Sequence, residues 1–399
     1  MSRTPRRTHV CIVVQNLPVP FDRRVWLECL ALVDAGYDVS VVCPRGPGEP
    51  ARRDLDGVHI VTYGAFPPVT RQVMFLAEYA YSILCTFLCL LRVWRRAPIR
   101  VVQVCNPPDV LWVATLPFQA LGVRLVYDQH DLCPELYLSR FAEPARLPHR
   151  ALLLAERMTY LLASHVISTN ESYRRVALAR GRKRPDRVTV VRTGPDPDRL
   201  RRAAPQPRLR RGFDHLLVYI GVMGPQDGVD YAIRALEYIV RVRGRADVGM
   251  TLIGDGDAAP DLKRLTTELG LDEFVEFTGR LPDEAVRDLM SSADIGLSPD
   301  PKNALNDVST MNKTMEYMAY ELPVVAFDLV ETRVSACDAA VYAAPNRIEE
   351  FGDAVLDLLA DDARRAEMGK IGRERVEREL AWHRQVPAYV GVYDRVTRG

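Results

Sequence analysis

Apolar residues along the chain gather into short runs rich in Val, Ile and Leu, separated by longer stretches whose apolar positions recur every three or four residues. The short runs have the length of strands, and the stretches between them have the period of helices. In the first half this spacing predicts strands at 9–15, 38–43, 58–63, 101–105, 124–127, 165–169 and 188–192, with helices such as 23–35 and 148–163 between them. Strands that are apolar at nearly every position are buried on both faces, so the pattern implies a parallel sheet covered on each side by helices. The alternation fails at 193–213, a hinge-like stretch rich in Pro and Arg. It resumes with strands at 216–220, 248–253, 274–277, 295–297 and 323–327. Beyond about residue 361 the pattern is helical to the end, with Trp382 and Tyr389 as expected anchors.

Two successive doubly wound, Rossmann-like α/β domains follow from this pattern. We place the first at 1–205, the second at 206–375, and a helical segment at 376–399 that packs back on the first. A length of 399 residues suits two domains better than one core. In such sheets ligands bind outside the carboxyl ends of the strands, and two domains whose strand ends face each other share a cleft.

One helical stretch stands apart. Residues 73–94 contain a single acidic residue, Glu78, and are followed by Arg95, Arg96 and Arg100. The length would suit a membrane span, yet the stretch lies between two strands of one sheet, where a span would split the domain. A core helix and a monotopic helix whose arginines meet anionic head groups both fit.

Composition narrows the classes. A net charge of +1 argues against nucleic acid as partner. The arginine clusters at 180–184 and 201–211 carry no interleaved aromatic residues and read as solvated linkers. None of the eight cysteines forms a C-x-x-C pair, and they read as reduced core residues of a cytosolic protein. Residues 1–7 are basic but run straight into a strand, so no secretory signal is expected.

The strongest chemical signal is Asn312-Lys313-Thr314-Met315-Glu316, just before the strand at 323–327. With Asn312 as N-cap, Lys313 falls in a first turn where free amides and the helix dipole favour an anion. Glu316 lies one turn on, where a carboxylate can accept two hydrogen bonds from the vicinal hydroxyls of a ribose. A surface ion pair is the plainer reading of the same spacing. In the first domain, Tyr127-Asp128-Gln129-His130-Asp131 ends an apolar strand and places His130 and Asp131 at the crevice as candidate catalytic groups. A histidine there can hydrogen-bond a sugar or move a proton near neutral pH; a structural histidine beside a helix-capping aspartate is the alternative.

Gly221-Val222-Met223-Gly224 follows the first strand of the second domain, where glycines let a phosphate approach the backbone. Its spacing is neither G-x-G-x-x-G nor a P-loop, which argues against NAD and ATP. Gly254-Asp255-Gly256-Asp257 forms another crevice loop. That D-x-D string and Asp196-Pro197-Asp198 lack His or Glu partners and read as turns, so no metal site is expected. In the first domain the loop 15–22 can shape an acceptor site, with Asn16 in it and Arg23 and Arg24 after it able to clamp a phosphate. Asn106 to Asp109 and Asn170-Glu171 occupy equivalent strand ends, where helix capping is the commoner role.

Taken together these residues resemble the retaining glycosyltransferases of GT-B fold known as family 4. The resemblance spans nearly the whole chain and rests on Phe21-Asp22-Arg23-Arg24-Val25, His130-Asp131, the Gly221 loop, Gly254-Asp255-Gly256, Gly279-Arg280, and Lys313 with Glu316. It implies two Rossmann-like domains facing across a cleft and a metal-independent reaction without cofactor. It also implies that Glu316 binds the nucleotide ribose, Lys313 the diphosphate and the backbone at Arg280 and Leu281 the base, with Gly221 and Gly224 nearby and His130 beside the donor sugar. Three departures stand out. The family commonly carries a Glu eight positions before the ribose-binding Glu; here that position is Val308, with Asp307 adjacent as a displaced carboxylate or none at all. The usual Arg and Lys after the first strand of the second domain align with Val222 and Asp227, which leaves Lys313, or Arg23 or Arg24, to meet the diphosphate. Glu321 stands where a helix-ending Gly is typical, weakening the turn by up to about 1 kcal/mol.

The expected protein is a cytoplasmic glycosyltransferase, peripheral at the inner membrane face if the 73–94 helix meets lipid. It moves a hexose or N-acetylhexosamine from a UDP- or GDP-sugar to a glycan or polyprenyl-linked acceptor. A sugar-nucleotide epimerase of the same build and a non-catalytic nucleotide-sugar-binding subunit are the competing expectations.

Overall fold

The computed structural model of the chain describes residues 7–67, 72–141 and 143–398. The basic opening at 1–6 lies outside the described residues. Two compact units result. The first comprises the chain up to Leu138, Glu143–Arg192 and the residues from Gln385 onward; the second comprises Ser139–Ala142 and Thr193–Arg384. The boundary therefore falls at Arg192/Thr193 and corrects the expected division at 205/206. The physical reason is local: the amides of Ala203 and Gln206 donate to Ser291 Oγ and Ser292 Oγ, both at 2.9 Å, which ties this stretch to a helix of the second unit. At the other end, residues 376–384 also group with the second unit, where Trp382 N–H donates to Pro195 O at 3.1 Å.

The first unit holds strands β1 (His9–Val13), β2 (Asp38–Pro44), β3 (Arg52–Leu55), β4 (Val58–Tyr63), β5 (Val101–Cys105), β6 (Arg124–Gln129), β7 (His165–Ser168) and β8 (Val188–Val190). They form one sheet of order β3-β4-β2-β1-β5-β6-β7-β8, parallel except for the β3–β4 hairpin. Its helices are α1 (Arg23–Asp34), α2 (Gln72–Arg96), α3 (Trp112–Ala120), α4 (Cys133–Arg140), α5 (Arg146–Leu162) and α6 (Glu171–Ala179). Strand β3 is absent from the sequence expectation because Arg-Arg-Asp-Leu at an exposed edge carries no apolar pattern. Asp56 and Gly57, both with positive φ, make the tight turn that pairs it.

Side chains alternate across this sheet. One set, with Cys11, Val13, Val102, Val104, Leu125 and Tyr127, packs beneath α2, α3 and α5 through Leu90, Val93, Phe118 and Tyr160. The opposite face carries Gln103 and Asp128 toward α1 and the terminal helix.

The second unit contains β9 (His215–Ile220), β10 (Val248–Ile253), β11 (Val275–Gly279), β12 (Ile295–Ser298), β13 (Val324–Phe327) and β14 (Ala340–Ala343), all parallel, in the order β11-β10-β9-β12-β13-β14. The helices along it are α7 (Val229–Glu237), α8 (Ala259–Glu268), α9 (Asp283–Ser292), α10 (Asn312–Ala319), α11 (Val330–Ala336), α12 (Ile348–Leu359) and α13 (Asp362–Arg375), and the chain ends in α14 (Trp382–Arg398). Strand β14, Ala-Val-Tyr-Ala, is too short and too weakly patterned to be foreseen. In each sheet the order of connections reverses at one strand, β1 in the first unit and β9 in the second. The crevices at such reversals are where open α/β sheets bind ligands.

Seven of the eight cysteines are buried or half-buried, but Cys337 is exposed, which corrects its expected place in the core. The sequence puts it in a turn after α11, where its backbone takes a positive φ of 46°.

Candidate functional site

In the second unit three glycine loops close on one another at the carboxyl ends of β9, β10 and β11. Gly221 has φ of 153° and Gly254 has φ of 130°, in the region that favours glycine. A Cβ on Gly254 would stand 1.9 Å from Gly221 O, and Gly254 N–H donates to Gly279 O at 2.9 Å. The loops therefore meet backbone to backbone, and Gly254 has no space for a side chain against Gly221. Gly224 N–H donates to Asp227 Oδ2 at 2.9 Å, closing the short turn before α7.

Lys313 lies at the same crevice. Its ammonium is bonded to Asp300, which follows β12, and lies 5.1 Å from the centre of the Tyr219 ring. Asp300 is itself held by Ser298 Oγ at 2.7 Å, and Ser298 by Thr314 Oγ1 at 3.2 Å. Tyr219 donates its hydroxyl to Val222 O at 2.7 Å, so one buried ring supports both the lysine and the glycine loop. Burial pushes the Lys313 pKa down, but the carboxylates of Asp300 and Asp227 outweigh it and raise the value, so the lysine stays charged. Tyr317, on the next turn of α10, accepts from Ile220 N–H and donates to Leu297 O, both at 3.0 Å. Helix α10 is thereby fixed to the ends of β9 and β12.

One expectation needs correction here, the helix cap. Asn312 is the first helical residue and not the N-cap; Met311 occupies that place and no side chain caps the helix. Lys313 still falls in the first turn, with half-buried Glu316 one turn on. Asp307, the candidate displaced carboxylate, is engaged within its own unit. Its Oδ1 accepts Val330 N–H at 3.0 Å and pairs with Lys302 at 3.3 Å, so it caps the start of α11. Arg280 is exposed just after Gly279, and Leu281 packs against the apolar cluster beneath α10. The two D-x-D strings are turns. Asp196 Oδ1 accepts Asp198 N–H at 2.9 Å, and Asp255 Oδ1 accepts Gly256 N–H at 2.9 Å.

The first unit gathers a second constellation at the ends of β5 and β6. His130 follows the last residue of β6 and donates from Nε2 to Asp128 Oδ2 at 2.6 Å. Its backbone and that of Asp131 are fixed by Asn106, whose Oδ1 accepts both N–H groups at 2.7 and 3.2 Å. Burial raises the Asp131 pKa, with His130 opposing it. Beneath the histidine, Arg24 donates to Asp128 Oδ1 at 2.9 Å and to Val191 O at 3.2 Å, and pairs with Glu28 at 3.0 Å. Arg24 is thus a buried structural cation, which corrects its expected place as an acceptor clamp. Arg23 and Asn16 remain on the surface. Asp22 caps α1 by accepting Val25 N–H at 3.1 Å, which turns Arg24 inward and Arg23 outward on consecutive positions.

Gln103 completes the cluster. Its amide donates to Glu28 Oε2 at 2.7 Å and to Asp128 Oδ2 at 3.1 Å, and its oxygen accepts the hydroxyls of Tyr389, at 2.9 Å, and Tyr393 of the terminal helix. Burial raises the Asp128 pKa, yet Arg24 and His130 overcome it and leave the carboxyl well below its usual range. Glu28, buried beside that negative charge, is pushed well above its usual range. Glu28, Cys105, Asp128 and His130 present atoms within 4.8 Å of one another, a spacing a metal ion could use. The Arg24 guanidinium already lies among them, so the set is charge-compensated and a dication would meet a fixed positive charge. The sequence held a signal for this cluster: Gln103 and Asp128 are polar interruptions in apolar strands, and Glu28 stands four residues after Arg24 on one helix face.

Comparison with known proteins agrees with this architecture. A model described as Glycosyltransferase Family 4 matches residues 22–199, and one described as Glycosyl transferases group 1 matches residues 214–361. The chain is 24% identical over 380 residues to 2-deoxystreptamine glucosyltransferase of Streptomyces kanamyceticus, covering 92% of this chain and 96% of that one. It is 32% identical over 195 residues, 47% of this chain and 50% of the relative, to GDP-mannose-dependent alpha-(1-6)-phosphatidylinositol monomannoside mannosyltransferase of Mycolicibacterium smegmatis. Among solved structures, sucrose-phosphate synthase from Thermosynechococcus elongatus superposes with a TM-score of 0.78 at 16% identity, over 98% of this chain and 100% of that one. With two parallel sheets, glycine loops at the reversal of the second and family matches through both units, the chain belongs to the family 4 glycosyltransferases of GT-B fold, enzymes that use sugar-nucleotide donors.

Proposed function

We propose that the chain is a retaining glycosyltransferase that moves a hexose or N-acetylhexosamine from a UDP- or GDP-sugar to a glycan or polyprenyl-linked acceptor, without a metal ion. The observation that carries this reading is Lys313, held charged by Asp300 at the mouth of three glycine loops. Backbone packed this tightly takes a diphosphate close to its amides, and the lysine balances the charge that grows on the leaving diphosphate. Glu316 takes the ribose hydroxyls, and the backbone at Arg280 and Leu281 takes the base. The bond from the sugar C1 to the diphosphate oxygen breaks as an acceptor oxygen bonds to C1 from the same face, which retains the configuration. The acceptor proton leaves with the diphosphate. His130, oriented through Nε2 by Asp128, hydrogen-bonds the donor sugar.

The acceptor class rests on α2, which is long and apolar enough to cross a membrane over Ala77–Arg96 and has only 28% of that window buried. Its inner side packs on the sheet of the first unit, so we read it as peripheral at the inner membrane face, with the enzyme otherwise cytoplasmic. Mycolicibacterium smegmatis phosphatidylinositol monomannoside mannosyltransferase, by its name, acts on a lipid acceptor, which supports the same class. Incubation of purified protein with UDP- and GDP-sugars tests the reading. Nucleotide release that depends on acceptor and survives a chelator is expected. Epimer formation, or release abolished by chelation, contradicts it.

A further inference from the structure

Helix α5 carries on its outer side a row that the fold leaves uncovered. Leu147, Leu154 and Leu161 are 79%, 61% and 70% exposed, values far from those of a core helix, while Tyr160 and Thr159 on the inner side are buried. Between the leucines stand Arg150 and Arg157, with Arg146 at the start, all exposed and none with an acidic partner among the described residues. At 100° per residue the three leucines with Arg150 and Arg157 fall within an arc of about 80°, along about 21 Å of helix. Exposed apolar rows of this kind mark interaction surfaces.

The arginines decide what the partner is. The leucines recur at a spacing of seven, as in a coiled coil, but the alternate seam positions are Arg150 and Arg157. A second copy of the helix would bring those charges together, so self-association is disfavoured. A nucleic-acid backbone would pair the arginines but leave the leucines in water. A surface that is apolar in depth and anionic at its rim satisfies both.

We infer that α5 is a docking helix for an anionic lipid bilayer, its leucines entering the acyl boundary and its arginines meeting phosphate head groups. The placement of α2 agrees. On that helix Leu84 and Leu88 are 57% and 41% exposed and are followed along the same stripe by Arg92 and Arg95. Both helices cover the same face of the first sheet, so both rows lie on one side of that unit. This inference deepens the peripheral-membrane reading of α2 and adds the lipid charge and a second contact helix.

The test is co-sedimentation of the full chain with vesicles of phosphatidylcholine alone and of phosphatidylcholine with phosphatidylglycerol. Binding to the anionic vesicles is expected, lowered by salt. Replacing Arg146, Arg150 and Arg157 together by Gln should weaken it by about a hundredfold, and Leu154→Ser with Leu161→Ser should weaken it at least about tenfold. UDP or GDP affinity, measured on the same variants in solution, should not change; this separates failure of the docking surface from failure of the donor site. Loss of binding on Leu84→Ser with Leu88→Ser alone, with the α5 variants binding as wild type, leaves α2 as the contact and overturns the role of α5. Equal binding to both vesicle types, no binding to either, or a dimer that Leu154→Ser dissolves also overturns it.

Discussion

The carboxyl ends of the two sheets are built in opposite ways. In the first unit the crevice under His130 is held by side chains: Arg24, Asp128, Glu28 and Gln103 fill the space and bond to one another. In the second unit it is held by backbone: Gly254 meets Gly221 with no room for a side chain and bonds to Gly279, and the Lys313 cation is set beside the Gly221 loop by Asp300. The first arrangement orients one imidazole from below. The second sets a charged lysine beside closely packed backbone. The difference predicts different failures when each is disturbed.

The largest effect should come from the first unit. Arg24→Met leaves Asp128 buried without its cation and should cost about 3–5 kcal/mol of stability. Adding Asp128→Asn removes the stranded charge and should recover part of the loss. Because Trp26, Trp94 and Trp112 lie in the first unit, chemical unfolding followed by tryptophan fluorescence reads it directly. No loss in the single variant, or no recovery in the double one, would break the account of a charge-compensated cluster.

Next is the backbone device. Gly254→Ala places a methyl 1.9 Å from Gly221 O at a φ of 130°, so the loops must part. A stability loss of at least about 3 kcal/mol is expected together with loss of nucleotide binding. Thermal melts and nucleotide titration check it, and a variant that binds as wild type would show that the loops are not closed as described.

A pH effect of comparable size sharpens the contrast. His165, buried on β7 among Arg395, Arg187 and Lys183, has its pKa lowered to about 4, chiefly by burial and then by those cations. A histidine with a folded value below its unfolded value of about 6.5 is fully stabilising above that pH. Its contribution disappears as pH falls through the window from about 6.5 to about 4, worth about 3 kcal/mol. His165→Gln should flatten this acid limb in urea unfolding of the first unit; an unchanged limb would assign it elsewhere.

The smallest effect concerns Glu321. It holds φ of 57° at the end of α10, where its N–H donates to Met318 O and Leu322 N–H donates to Tyr317 O, the paired bonds of a helix-ending turn. Glu321→Gly should stabilise the second unit by about 0.5–1 kcal/mol, seen as a raised melting temperature.

How much of this was legible in the sequence follows from the same contrast. Twelve of the strands were foreseen because buried parallel strands are apolar throughout. The charged edge strand β3 and the short β14 lack that mark. The glycine loops, Lys313 and His130 were legible because they sit where apolar runs end. The partners of those residues were not. Asp300 and Asn106 look like ordinary loop residues, and no pattern in Val-Val-Gln-Val-Cys states that Gln103 meets tyrosines 286 and 290 residues later. Arg24 was misplaced because its fate depends on which way Asp22 starts the helix, a matter of one residue in register.

The central claim is that the sugar nucleotide is held in the second unit by Lys313 at the glycine loops. Titration calorimetry of UDP and GDP against the wild type and Lys313→Ala tests it most directly. The account predicts that one nucleotide binds measurably and that the variant weakens it at least about tenfold, as expected for loss of a charge-assisted contact. Equal affinity in the two proteins would contradict the claim.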